Sequence, residues 1–247
     1  MTVSLETLST CGPLRGLDAA TRQAMAEYAR LIEFQPGDRL LPLGQPPQRL
    51  LILSDGLAKL VGVSINGHER ILCIYRRNDM VGPSVLMESI ENEHEVAAMS
   101  RGRALAISRR DLLIIGRSNP SVIMALAREV SRQLVAMTGR VMSATSAEVP
   151  VRLSQLLLDF ADGNGAGPEE LVPLAHPLTH ESMAQIIGAS RPHTSTVLRD
   201  LEGRGAVQRR SGRGLLVRPA RLKTIVEYGD LDPVETFTGS GAFPLSA

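Results

Sequence analysis

The sequence predicts an α+β fold: an antiparallel β domain, a long helix, then two short helices and an arginine-rich hairpin. Three observations carry that expectation. Between Leu31 and Ile107, short apolar runs alternate with turn signals at roughly ten-residue spacing. From Ile123 to Ala144, apolar residues recur in alternating steps of four and three. From Leu178 to Val217, two capped helical segments joined at Gly188 lead into a hairpin that carries Arg209, Arg210 and Arg213.

Composition narrows the class. With 43% apolar residues among 247, the chain can pack a core, which excludes global disorder. Aromatics make up only 3%, so Leu, Ile, Val, Ala and Met must build that core. Few aromatics also argue against single-stranded nucleic acid, whose bases stack on such rings. The two cysteines, Cys11 and Cys73, form no CxxC, zinc-type or disulfide pattern. No basic-then-apolar leader opens the chain, and no apolar run reaches the roughly 18 residues of a membrane span. A cytoplasmic protein with no membrane partner is expected.

Taken in order, residues 1–30 read as helical, with Leu14, Leu17, Met25 and Tyr28 at helical intervals and Asp18 as a cap. Turn signals follow at 35–38, 43–47, 54–56, Asn66-Gly67, 76–79 and Arg101-Gly102. Between them, 49–53, 58–64, 70–75, 96–99 and 104–107 read as strands of an antiparallel sandwich or barrel. Asn66-Gly67 suits a type I′ hairpin, whose two central residues need positive φ.

Ser118-Asn119-Pro120 opens the long helix with a polar cap and an early proline. Its apolar seam is Ile123, Ala127, Val130, Leu134, Met137, Val141 and Ala144. A 3.5-residue repeat of this kind is that of a coiled coil, which predicts a homodimer. Val149-Pro150 offsets the next helix, 151–162; residues 163–167 read as a break and 171–177 as an extended piece.

Thr179 caps a short helix with Met183, Ala184, Ile186 and Ile187 on its apolar face, and Gly188 permits a tight turn. Ser190 caps a second helix that begins at Arg191-Pro192. Val197, Leu198 and Leu201 bury it, and the outward face is expected to show Arg191, His193, Thr194, Thr196 and Arg199. Strands at 207–209 and 215–217 then pair around 211–214 as a wing. Between His176 and Lys223, nine basic residues stand against three acidic ones. Helix, glycine turn, basic helix and basic hairpin in that order imply a winged helix-turn-helix whose partner is double-stranded DNA.

Over essentially its whole length the chain resembles the CRP/FNR family of bacterial transcription regulators. The likeness rests on FQPGDRLLPLGQPPQRLLILSDGLAKL (34–60), on the long helix from 120, and on LTHESMAQIIGASRPHTSTVLRDLEGRGAVQRR (178–210). It implies a β-roll sensor domain (a double-stranded β-helix of the cyclic-nucleotide-binding type) over 1–117. A dimerisation helix over 118–148 and a DNA-binding domain over 149–230 would follow, with 231–247 as an extension. Such regulators bind palindromic sites as homodimers and contact RNA polymerase. Ser190 and Arg191 match the family's recognition helix, while Pro192 replaces a base-reading Glu and Thr196 a second Arg. Arg191 retains the fork that takes guanine O6 and N7, and Pro192 cannot accept from cytosine N4, so the operator should differ from the family's best-known one. Thr179, Ser190 and His193 fall where the family touches phosphate. The stretch SRPHTST is also similar to the carbon-monoxide-sensing, haem-containing branch.

The same resemblance tests the signal. A cyclic-nucleotide pocket needs a Gly-Glu-Leu-type turn and an Arg for the phosphate. Here Gly82 is followed by Pro83, and Glu93, His94 and Glu95 stand near the phosphate position, where carboxylates repel an anion. Cyclic AMP in the usual mode is therefore disfavoured. Two cysteines cannot hold the family's iron–sulfur cluster. The usual haem ligands are absent, since Gly82 and Ser84 occupy their positions, although His68, Cys73, Met87 and His94 could ligate in another geometry. The cofactor is left open, with Gly82, Ser84, Glu93 and His94 as the candidate effector pocket. His176 and His180 have a metal-like spacing interrupted by Pro177, which reads as incidental, and no metal is expected. Without a nucleophile–base set or P-loop, an enzyme is not expected either. The competing reading is a cyclic-nucleotide- or haem-binding sensor that acts through protein contacts.

Overall fold

The structure, a computed structural model, describes residues 11–63, 67, 69–87, 90–162, 167, 169–210 and 214–229. Among the expectations that fall on positions outside these are residues 1–10 of the expected helical stretch, the Asn66 half of the first hairpin signal, His68, residues 163–166 of the expected break, residues 211–213 of the wing turn with Arg213, and the extension 231–247. The chain divides into two compact units, residues 1–138 and 139–247.

The first unit opens with a short 3₁₀ turn at Gly12–Leu14 and helix α1, Ala19–Tyr28. Asp18 caps α1, its carboxylate accepting from the Thr21 amide at 2.8 Å and from the Thr21 hydroxyl at 2.8 Å. Those bonds hold Asp18 below the usual carboxylate range. Among the described residues eight strands follow: β1 Arg30–Phe34, β2 Arg39–Leu41, β3 Arg49–Asp55, β4 Ala58–Val63, β5 Glu69–Tyr75, β6 Met80–Val81, β7 Glu95–Ala98 and β8 Gly102–Ser108. They form two antiparallel sheets, ordered β1-β8-β3-β6 and β2-β7-β4-β5. The expected strands are present, and β1, β2 and β6 are additional. Gly67, with φ +77°, lies between β4 and β5, which pair up to Val63 opposite Glu69.

Strands β3 and β8 are buried on both faces, which explains their unbroken apolar runs. In register, Leu50 faces Ile107 and Ile52 faces Leu105, all within a core shared with α1 residues such as Met25. The alternate pairs, Leu51 with Ala106 and Leu53 with Ala104, line a second core with Phe34, Leu41, Val96 and Ala98. Gly102 starts β8 because any side chain there would collide with the Asp55 carbonyl and the Phe34 ring.

Helix α2, Arg109–Ser118, was not among the expected elements; Ser108 caps it by accepting from the Asp111 amide at 3.1 Å. Helix α3, Pro120–Ser146, is the long helix. Val122, Ala125 and Leu126 bury its inner face in the core. The seam residues Ile123, Ala127, Val130, Leu134, Met137, Val141 and Ala144 are all exposed on the single chain, Leu134 at 64% and Val141 at 58%.

Glu129 lies on the inner face, only 7% exposed. Its carboxylate accepts from Arg132 Nε at 2.9 Å and from Gln133 Nε2 at 3.1 Å. Arg132 also donates to Asp79 Oδ1 at 3.2 Å, and Gln133 to the Met80 carbonyl at 2.8 Å. Hydrogen bonding to Glu129 and then to Asp79 raises the Arg132 pKa, against the cost of partial burial.

Cys11 is buried, and burial pushes its thiol from 9.0 up to about 11, with the Arg77 cation pulling the other way. The folded state thus prefers the protonated thiol. The stability this contributes is complete below pH 9 and is lost as pH rises from 9 towards about 11. Cys73, in β5, is half-buried. In a Cys73→Ser background, Cys11 should resist an aromatic disulfide reagent at pH 8 until denaturant is added. Stoichiometric labelling of the native protein would contradict the burial.

The second unit holds α4 Val149–Phe160, β9 Val172–Pro173, α5 His180–Ile187, α6 Arg191–Gly203, β10 Val207–Arg210, β11 Gly214–Val217 and α7 Pro219–Tyr228. Pro150 lies in the first turn of α4, where its missing N–H costs nothing. Helix α7 was not expected. Strands β10, β11 and β9 form one antiparallel sheet. No helix among the described residues is long and apolar enough to cross a membrane.

Candidate nucleic-acid interface

Local chemistry builds the two helices of this site. Thr179 Oγ1 accepts from the Ser182 amide at 3.0 Å, and Ser182 Oγ accepts from the Thr179 amide at 2.9 Å, a reciprocal capping box. Helix α5 ends at Gly188, whose φ of 68° is the left-handed conformation glycine adopts without strain. The chain turns and Ser190 caps α6, accepting from the His193 amide at 3.3 Å. Met183, Ala184 and Ile187 of α5 and Val197, Leu198 and Leu201 of α6 are buried. His180 Nδ1 lies 2.9 Å from Ser195 Oγ, a polar link between the two helices.

That packing leaves Arg191, Pro192, His193, Thr196 and Arg199 exposed along one side of α6. Thr194 departs from expectation. It is fully buried, and its hydroxyl donates to the Ser190 carbonyl at 3.0 Å. The positions 194, 197, 198 and 201 are one helical face, so spacing assigns Thr194 inward, and the back-bond satisfies its hydroxyl. Thr194 is therefore no DNA contact. Thr196 also back-bonds, to the Pro192 carbonyl at 3.2 Å, but remains exposed. Thr179 and Ser190 are exposed with their hydroxyls engaged in capping.

Strand pairing of β10 with β11 sets Arg209 opposite Leu215 and Arg210 opposite Gly214. The basic residues then separate into two groups. Arg209 pairs with Glu202 of α6 at 2.6 Å, and Arg204 with Asp200 at 2.9 Å. Arg218 and Arg221 both reach Glu169, at 3.5 and 2.9 Å. Arg191, Arg199 and Arg210 are exposed and make no ion pair among the described residues. These cations remain available to a polyanion, and the N-terminus of α6 adds its partial positive charge.

The candidate effector residues lie on two segments. Gly82, with φ 75°, precedes a 3₁₀ turn, Pro83–Leu86, in which Ser84 is half-buried. Glu93 and His94 are exposed on the approach to β7. A cleft of about 310 Å³ in this unit lies elsewhere, lined by Glu33, Asp55, Arg101, Gly102 and Arg103.

A two-sheet antiparallel domain, a long helix and a winged helix-turn-helix with unpaired arginines define a DNA-binding transcription regulator modulated by an effector. The profile of the Crp-like helix-turn-helix domain matches residues 151–225, and that of the cyclic nucleotide-binding domain matches 31–119. The chain belongs to the CRP/FNR family of transcription regulators. It is 26% identical over 212 residues, 86% of this chain and 94% of the relative, to a CRP-like cAMP-activated global transcriptional regulator of Mycobacterium tuberculosis. It is 28% identical over 199 residues, 77% of this chain and 88% of the relative, to the cyclic AMP receptor protein of Thermus thermophilus. Among solved structures, the fold matches the c-di-GMP-responsive global regulator CLP of Xanthomonas campestris. That match has a TM-score of 0.68 at 19% identity and covers 81% of this chain and 99% of CLP. A CRP/FNR-family regulator of Thermus thermophilus gives a TM-score of 0.67 at 23% identity, covering 80% and 98%.

Proposed function

We propose that the protein acts in the cytoplasm as a homodimer that reads a two-fold symmetric operator and contacts RNA polymerase there. In this reading residues 1–117 sense, 118–148 dimerise and 149–230 bind DNA. The observation that carries it is the row of exposed side chains on α6, led by Arg191 at its first turn. Arg191 reads a base, while His193, the capped ends at Thr179 and Ser190, and Arg199 and Arg210 meet phosphate. Thr196 is exposed one turn beyond Pro192, and Arg209 contributes once Glu202 yields it. The dimer is supported by the exposed seam of α3, which no other part of the described first unit covers.

The relatives' names point to cyclic nucleotides, but the pocket chemistry here favours a different effector or binding mode. Pro83 opens its turn without an acceptor for a ribose hydroxyl, and Glu93 adds negative charge. A visible spectrum of the purified protein separates the haem reading, by the presence of a Soret band, from an organic effector.

Gel shifts on fragments that the protein selects from genomic DNA test the interface. Arg191→Ala should cost about 1–3 kcal/mol and relax specificity at one base position. Arg210→Ala should weaken all sequences alike and flatten the salt dependence. A protein that selects no sequence, or an Arg191→Ala variant that binds unchanged, would remove the proposal.

A further inference from the structure

We propose that Arg152 is a positioning residue for DNA reading, tying the link between α3 and α4 to the turn that aims the recognition helix α6. The proposal rests on the DNA-binding reading above and adds to it a residue far from the exposed face of α6. Arg152 lies near the start of α4 and is half-buried. Its Nε donates to the Ile187 carbonyl at 2.9 Å, and its NH1 donates to the Ala147 carbonyl at 2.5 Å.

Both acceptors are backbone oxygens that helix geometry leaves without a donor. Ile187 is the last residue of α5. The amides of Gly188 and Ala189, which follow it, both turn back to the Ala184 carbonyl. Ala147 lies just past the end of α3, in the link before Val149. A helix C-terminus carries partial negative charge, so a guanidinium is favoured at Ile187. The same planar group reaches the link, and its donors diverge at fixed angles, so the two carbonyls are held in one geometry. The turn after Ile187 ends at Ser190, the cap of α6, and Arg191 follows directly. A shift of the link therefore bears on the direction in which Arg191 points.

A structural role alone predicts a lower melting temperature and unchanged discrimination by the folded protein. A positioning role predicts lost discrimination. The test uses the full chain as wild type, Arg152→Ala and Arg152→Lys, where lysine keeps the charge but cannot bridge both carbonyls in one plane. Affinity is measured for a duplex that the wild type selects from a random pool and for an unselected random duplex, well below each variant's melting temperature.

The selected duplex should bind roughly tenfold more weakly to both variants, while binding to the random duplex, governed by phosphate charge, changes little. If either folded variant keeps the wild-type ratio of selected to random affinity, the proposal is overturned. If Arg152→Ala does not fold, the lysine variant decides alone. A wild type that selects no sequence would instead sink the DNA-reading proposal itself, which keeps the two failures distinct.

Discussion

Leu134→Glu should leave each protomer folded, abolish the dimer, and weaken operator binding by roughly a hundredfold or more. Leu134 is 64% exposed on the isolated chain, so a carboxylate there costs the protomer little. In a dimer it lies at the middle of the seam, with Val130 and Met137 a turn to either side, and two like charges would be buried against each other. Two half-sites bound by linked modules gain avidity that a monomer forfeits, whatever the strength of each helix-turn-helix contact. Sedimentation equilibrium reads the assembly and gel shift reads the binding. A variant that remains dimeric would place the interface elsewhere. A monomer that bound the operator as tightly as wild type would show that each half-site suffices. Leu126→Glu, on the buried face of the same helix, should unfold the first unit instead.

Arg132→Ala should destabilise the first unit by about 2 kcal/mol, less than the roughly 3–5 kcal/mol that removing one partner of a fully buried ion pair costs. The reduction reflects the arginine, whose side chain is 57% exposed, whereas Glu129 is nearly enclosed at 7%. Removing the guanidinium leaves the Glu129 carboxylate with Gln133 but without its cation, and Asp79 loses the same donor. The expected fall in melting temperature is roughly 5 °C. Replacing both partners, as Glu129→Leu with Arg132→Met, should recover most of the loss, because an apolar pair removes the charge-burial penalty altogether. If the double variant is as unstable as Arg132→Ala, the loss comes from the Asp79 contact and not from the buried carboxylate. Titrating both variants against denaturant separates the cases.

The helix-turn-helix was legible in the sequence because its determinants are local. Gly188 needs a left-handed turn, Thr179 and Ser190 cap within three residues of themselves, and Pro192 belongs in a first turn. The seam of α3 was legible for the same reason, as a spacing within one helix. Thr194 was misplaced because its polarity was read before its position, although 194 shares a face with 197, 198 and 201. Helix α2 is short and opens on two arginines, and α7 is equally short and opens on a proline after the wing, so neither shows the long period that marks a helix. Strands β2 and β6 hold three and two residues, below the length at which alternation can register. The effector pocket was the least legible, because it depends on which distant segments meet. Gly82 and Ser84 lie on one loop, Glu93 and His94 on another.

The pairing of β3 with β8 bears on how the first unit avoids misfolding. Leu50 and Ile52 of β3 and Leu105 and Ile107 of β8 point to the helical side, while Ala104 and Ala106 point between the sheets beside Leu51 and Leu53. A slip of β8 by one residue would drive Leu105 and Ile107 into space shaped for alanine and leave methyl-sized stubs facing α1. One side would be overfilled while the other gaped, and both errors are costly. The strand proofreads its own alignment from two directions, a safeguard that a half-wet strand, checked on one face only, does not have.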